Sequence, residues 1–355
     1  MRRGEADGGA QARRARGLAG GGWLVWVALW LAMALATPAP APAAEAAARQ
    51  AGGEGEVWWI APTLKRFFRS HTSYEFGDPY DRRLSPLSRL EYPLNSWWGG
   101  LRLGAQGPKL SLELELLTGL PGQDDLGVLR DSDWTDPDRP KVKTVYSETT
   151  LRLKDSLSLD AKAAVSLREH LPLPAWLDLR PLIGVRWQRF TFVAGDGVQQ
   201  ELLPDPSAPG GYTWIYEPLD GDVFWFRQDY IHAYAGLLLT ADLARLGLGR
   251  PGQGWRVSLQ GDLAQVWGQN RDWHLLRGDR VTQERTQGYA WHTAMSLRAP
   301  LWSWGSLSLT GDYLFIRTTG DHTWDDPPDP VETSDYGVRV WSQQMSLSLA
   351  LEIPF

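Results

Sequence analysis

The chain has 355 residues, a formal net charge of −6 at neutral pH and no cysteine. The absence of cysteine removes disulfides and thiol nucleophiles and leaves few routes to a zinc site, so stability must come from hydrogen bonding and packing. An acidic balance also speaks against nucleic acid as a partner, because a phosphate backbone calls for a basic face.

At the amino terminus Arg2, Arg3, Arg13, Arg14 and Arg16 precede an apolar run from Trp23 to Ala36, which is followed by Ala41-Pro42-Ala43. Basic residues, a short apolar run and a small-residue site make residues 1–44 a signal peptide, cut near Ala43 or Ala44, rather than a retained anchor. The mature chain then begins near Glu45 with a lead-in segment over residues 45–66. Beyond it no uninterrupted apolar run approaches the roughly 20 residues a membrane helix needs.

From residue 67 onward the pattern has period two. At the carboxyl terminus Met345, Leu347, Leu349, Leu351, Ile353 and Phe355 alternate with Ser346, Ser348, Ala350, Glu352 and Pro354. Alone, such a strand would also suit a soluble sandwich. The alternation recurs in Leu110-Leu112-Leu114-Leu116, in Trp255-Val257-Leu259, in Tyr289 to Leu297 and in Leu307 to Phe315. Long alternating segments divided by turn residues are the mark of a transmembrane barrel. They predict about ten strands, near 67–77, 88–105, 109–118, 143–158, 178–193, 227–244, 254–270, 286–298, 305–319 and 339–355. The expected fold is therefore all-β: a ten-stranded antiparallel transmembrane β-barrel over residues 67–355. Long polar connections at 119–142, 194–226, 271–285 and 320–338 are expected on the extracellular side, and short ones such as 245–253 and 299–304 on the periplasmic side. The connection 159–177 is long for a periplasmic turn unless the fourth and fifth strands extend into it.

The chain carries 20 tryptophans. Trp58, Trp59, Trp97, Trp98, Trp187, Trp225, Trp291, Trp302 and Trp304 fall near strand ends, where aromatic girdles meet the membrane interfaces. A carbohydrate-binding surface is the competing explanation, but the rings are spread along the chain rather than clustered.

Two short stretches carry candidate chemistry: Asp131-Ser132-Asp133-Trp134 and Asp272-Trp273-His274. Each sets two ionisable groups at i and i+2, on one face of an extended strand. A D-x-D in an acidic loop is usually just solvated. Here both pairs follow odd-numbered strands and so belong to one rim of the barrel. Without a serine–histidine motif or a cysteine, the simplest chemistry is activation of a water: His274 removes a proton, Asp272 orients the imidazole, and Asp131 with Asp133 polarises the water from the other side. His71, His170, His232, His292 and His322 have no such i±2 partner and default to lumen or loop positions. The run Asp321, Asp325, Asp326 and Asp329, broken by Pro327, Pro328 and Pro330, lacks the spacing of a calcium loop and is expected to be an exposed acidic loop.

These motifs in order, with the ten-strand pattern, the aromatic terminus, Ser88-Arg89-Leu90-Glu91-Tyr92 and the stretch Tyr230 to Leu239, resemble the omptin family of outer-membrane aspartic-type endopeptidases over nearly the whole mature chain. The resemblance implies an acidic couple, Asp131 and Asp133, and a dyad, Asp272 and His274, flanking the attacking water with no acyl-enzyme. It also implies substrate binding by Glu75, in Thr72-Ser73-Tyr74-Glu75-Phe76, and at Asn270, where family members that prefer basic residues on both sides of the cut carry an aspartate. Lipopolysaccharide on the outer wall is the one accessory molecule it implies, with Arg189 and Arg285 as holders and no other cofactor or metal, although Trp187 and Asp229 depart from the family's pattern there. Partners would be polypeptide substrates and outer-membrane lipid, acting on a monomer at the cell exterior. The alternative is an inactive barrel serving as adhesin or receptor, since fold alone does not fix function. An open porin is disfavoured, because about ten strands leave an interior that side chains largely fill.

Overall fold

A computed structural model describes residues 56–355, except 79–80, 82, 247–253, 277, 279, 303 and 326–331. The signal peptide, most of the lead-in and Asp326 and Asp329 of the acidic run lie outside the described residues. The strands in chain order are β1 (Val57–Phe76), β2 (Ser88–Pro93), β3 (Trp97–Gln106), β4 (Leu110–Gly119), β5 (Val128–Asp133), β6 (Val145–Leu153), β7 (Leu157–Val165), β8 (Leu177–Pro204), β9 (Tyr212–Asp242), β10 (Arg256–His274), β11 (Arg280–Trp302), β12 (Gly305–Asp325) and β13 (Glu332–Pro354).

All 13 strands belong to one antiparallel sheet, but three positions in it are each built from two strands. Strands β2 and β3 both pair with β1. Strands β5 and β4 continue from them, and β6 and β7 in turn pair with β8. The ring therefore has ten positions (13 less 3), and pairing of β13 with β1 closes it. Closure leaves no unpaired edge.

The breaks at residues 94–96, 120–127 and 154–156 form a belt across one side of the barrel. In β1 the same belt is a bulge between Phe68 and His71, with Arg69 at φ 50°. Local hydrogen bonds carry the ladder across, with Leu94 N–H donating to Ser70 O at 2.9 Å and Phe67 N–H to Ser96 O at 2.8 Å. The bulge also reverses which residues face inward: Trp59, Ala61, Thr63 and Phe67 are buried below it, whereas above it Thr72 and Tyr74 reach across to Gln228 and Asp272. One extra residue flips the two faces of a strand.

The first strand begins ten residues before the predicted start, inside the supposed lead-in. Its Val57-Trp58-Trp59-Ile60 is apolar on both faces, which hides the alternation, and the Trp59 ring lies where a Cβ on Gly104 would come within 2.2 Å of it. At the other rim the strands run into the predicted loops. Strand β5 lies inside 119–142, and the β8–β9 hairpin takes up 194–226, leaving only residues 205–211 as its turn. Above the membrane the outward face meets water, so the apolar–polar signal stops while the hydrogen-bond ladder continues. The fourth and fifth positions do extend, to Val165 and from Leu177.

Outward-facing Leu64, Leu103, Leu112, Leu114, Ile183, Leu263, Met295 and Leu347 are exposed and form the apolar band, with Trp58, Trp97, Trp225, Trp267, Trp291 and Trp304 also exposed. Trp59 and Trp98 are instead buried in the lumen, since consecutive residues of a strand face opposite ways. The lumen has three layers. At the bottom Glu115 joins Lys65 and Arg102, each at 2.9 Å. In the middle Phe67, Trp98 and Phe190 pack edge to face, with centroids 5.5–6.3 Å apart, and Phe192, Phe226 and Tyr92 stack above them. This aromatic plug separates the lower lumen from the upper cleft.

Removing one partner from a buried ion cluster leaves the others without compensation. Glu115→Leu should therefore lower the unfolding free energy in urea by about 3–5 kcal/mol, measured on protein refolded into lipid vesicles. An unchanged midpoint would refute that role.

Candidate active site

Strand β10 sends Asn270, Asp272 and His274 toward the lumen, while Gln269 and Arg271 face outward. Asp272 is fully buried. His274 stands one step higher, its side chain 22% exposed, with Nε2 3.7 Å from Asp272 Oδ2. The carboxylate is thus sealed and the imidazole is the accessible member of the pair.

Across the barrel, β5 carries Asp131 and Asp133 on the lumen side, with Leu129 of the core below them. They lie on a strand rather than in the open loop expected from sequence. In register Tyr74 stands beside Leu90, and Leu90 beside Asp131. The Tyr74 hydroxyl donates to Asp272 Oδ2 at 2.9 Å. One hydrogen bond therefore ties the wall of Asp131 to the wall of Asp272, and both pairs lie at the same end of the barrel and at the same height. Ser88 Oγ, at the rung of Asp133, reaches Asp131 Oδ1 at 3.5 Å.

Tyr74 and Tyr92 form the floor of the cleft with Phe226, which stacks on them at 5.6 Å and 4.2 Å. Burial pushes both phenols well above the ordinary tyrosine range. The charge of Asp272 pushes both in the same direction, and Tyr92 also feels Asp131. Both hydroxyls stay protonated at neutral pH, which keeps Tyr74 a donor to Asp272.

Glu75 does not face the cleft. Tyr74 faces the lumen, so Glu75 faces the other way, and its register partners are Arg89 and the half-exposed Arg339. Arg89 Nε and Nη2 donate to Glu75 Oε2 at 2.8 Å and 2.6 Å, and Arg339 pairs with Oε1. Two guanidiniums close the carboxylate that the resemblance assigned to substrate binding. Asn270 does face the cleft; its Oδ1 accepts from Gln228 Nε2 at 3.2 Å.

Asn270's register partner is Glu284, fully buried, whose Oε1 lies 2.7 Å from His322 Nδ1. Phe76 stacks on the His322 ring at 4.0 Å. Asn270 Nδ2, Glu284 Oε2 and His322 Nε2 have no hydrogen-bond partner among the described residues. Neither Tyr74 nor the Glu284–His322 pair was found from sequence. Tyr74 is hidden by the bulge, and the pair joins two strands, so no i±2 spacing marks it.

On the outer wall, Arg189 Nε donates to Asp229 Oδ1 and Arg227 Nε to Asp229 Oδ2, both at 2.7 Å, with Arg189 5.0 Å above the Trp187 ring. Arg285 is exposed on β11, with β9 and β10 lying between it and Arg189. Among the described residues no group of three or more His, Cys, Asp or Glu side chains is arranged to hold a metal ion.

No protein-family model matches the chain, and neither does any curated protein sequence. Among solved structures, the outer membrane protease OmpT from Escherichia coli is similar over 84% of this chain and 97% of that one, with 15% identity and a TM-score of 0.65. The chain thus shares the omptin-like barrel fold. The translocator domain of the autotransporter NalP from Neisseria meningitidis aligns over 86% of this chain and 93% of its own, with 9% identity and a TM-score of 0.30, too low to carry weight.

Tyr74→Phe removes a donor from Asp272 and so leaves more of its charge for the imidazolium form of His274. The His274 pKa, followed through its ring resonances in an NMR titration, is expected to rise. A fall or no change would count against the Tyr74–Asp272 coupling.

Proposed function

We propose that the protein is an outer-membrane endopeptidase whose cleft opens to the cell exterior and hydrolyses peptide bonds with an activated water. The observation that carries the proposal is the Tyr74–Asp272 hydrogen bond, made by a residue on the same rung as Asp131. His274, accessible beside a buried carboxylate, takes a proton from the water, and Asp272 stabilises the imidazolium. Hydroxide adds to the scissile carbonyl, the C–N bond breaks, and the departing amine takes the proton from His274. Asp131 and Asp133 hold the water from the facing wall, and no acyl-enzyme forms. A general base contributes about 10²–10⁴-fold, so orientation supplies the remainder.

The pocket has little pull on Arg or Lys, because Glu75 is closed by two guanidiniums and Asn270 is neutral. The unmet Asn270 Nδ2, Glu284 Oε2 and His322 Nε2 are buried behind the cleft surface. On the outer wall, two arginines share the one carboxylate of Asp229, which leaves positive charge for a lipid phosphate. We assign lipopolysaccharide binding to this cluster, with Arg285 as a separate contact, and a monomer as the acting unit.

A second reading, an inactive barrel acting as adhesin or receptor, draws on the same neutral pocket at Asn270. Refolded protein with lipopolysaccharide, screened on a mixed peptide library, separates the two. Cleavage is expected, with His274→Ala slower by about 10²–10⁴-fold and Asp133→Ala also impaired. The wild-type rate should fall as pH drops through the His274 pKa, because a protonated imidazole accepts no proton. Full activity in His274→Ala would sink the mechanism, and no cleavage by the wild type would favour the second reading.

A further inference from the structure

Below the aromatic plug the lumen holds a cavity of about 230 Å³. At its lower end three arginines meet from three strands. Arg180 of β8 is 5% exposed. Its Nε donates to Asp178 Oδ2 at 2.7 Å and its Nη2 to Gly107 O at 3.3 Å, while Nη1 has no hydrogen-bond partner among the described residues. Arg256 of β10 reaches the neighbouring residue, with Nη1 donating to Gln106 Oε1 at 3.3 Å. Two guanidiniums from separate strands thus converge on Gln106 and Gly107. The third, Arg298 of β11, is the cross-strand partner of Arg256 and pairs with Glu352 at 2.8 Å. All three line the cavity.

Like charges facing each other across a sheet repel. The carboxylates at hand are Asp178, held by Arg180, and Glu352, held by Arg298. Asp242, the other register partner of Arg256, is taken by Arg245 at 3.4 Å. Arg256 itself makes no ion pair among the described residues, so the four cations Arg180, Arg245, Arg256 and Arg298 meet the three carboxylates of Asp178, Asp242 and Glu352. Higher in the cavity Arg186, 7% exposed and held by Asp160 at 2.7 Å, also has an unpartnered Nη1.

We propose that this end of the lumen binds one small oxyanion of the phosphate class. Forked guanidinium donors from several directions match the oxygens of a tetrahedral anion, and a planar carboxylate is already satisfied by a single fork. The site is separated from Asp272 by the plug, so it is independent of the cleft and of the proteolytic proposal.

The test is calorimetric titration of the refolded full chain in detergent micelles with inorganic phosphate, against sodium chloride at equal ionic strength. Saturable binding at one site is expected with phosphate only. Arg256→Gln should weaken it about tenfold or more, the loss of a charge-assisted hydrogen bond, and His274→Ala should leave it unchanged. Should Arg256→Gln fail to fold, phosphorus NMR of the wild type decides: the phosphate line should broaden, and sulfate but not chloride should reverse the broadening. Non-saturating heat, an equal response to chloride, undiminished binding by folded Arg256→Gln, or a phosphate line that stays sharp would overturn the proposal.

Discussion

A sheet placed in lipid has no water to meet its backbone, so every strand must find two neighbours. Pairing of β1 with β13, from Trp59 opposite Pro354 to Glu75 opposite Arg339, meets that requirement and turns a linear sheet into a wall with an inside. Once the inside exists, period two decides everything else: each strand sends alternate residues to lipid and to lumen. The lumen then collects charge that cannot be left bare, and it appears as clusters such as Lys65–Glu115–Arg102 and Asp160–Arg186. Across the ten-position ring, Phe67, Trp98, Phe190, Phe192 and Phe226 pack with aliphatic side chains such as Leu117, Leu151 and Ile316 to block the lumen.

Much of this was legible in the sequence wherever one face meets lipid. The carboxyl-terminal alternation from Met345 to Ile353 became the upper-to-lower run of β13, and the number of ring positions follows from such segments. The pattern failed where the outward face has another neighbour. At Val57 to Ile60 both faces are apolar, and in the β8–β9 hairpin apolar residues such as Val198, Trp214 and Ile215 are exposed among polar ones, so neither stretch carries a clean period of two. The paired tryptophans show the same limit: Trp97 lies outside and Trp98 inside, and only strand parity distinguishes them.

The candidate site divides along the same line. Asp131 with Asp133 and Asp272 with His274 were legible because each pair sits along one strand, two residues apart. Partners from different strands leave no local trace: Glu284 and His322 are 38 residues apart, and Tyr74 and Asp272 are 198 apart. The pairing of Glu75 with Arg89 and Arg339 is likewise illegible in the sequence. The bulge between Phe68 and His71 changes the parity of β1 in mid-course, and no feature of Phe68-Arg69-Ser70-His71 announces it.

The β8–β9 hairpin has its own joint. Its register slips at Gly195 and Gly197, Asp196 and Gly221 adopt left-handed backbone angles of 44° and 74°, and a Cβ on Gly195 would lie 2.3 Å from Gly221 O. Below the joint, Phe226 stays locked beside Asp272. Above it the ladder runs on from Gly197 to Pro204, a lever of roughly 25 Å at strand spacing. On its β8 edge the lever stays laddered to β6 as far as Glu201. Val145 to Thr149 of β6 pair with this stretch and also with the strand of Asp131 and Asp133, so the reach of the hairpin beyond Leu202 is carried on the same ladder that fixes those two carboxylates.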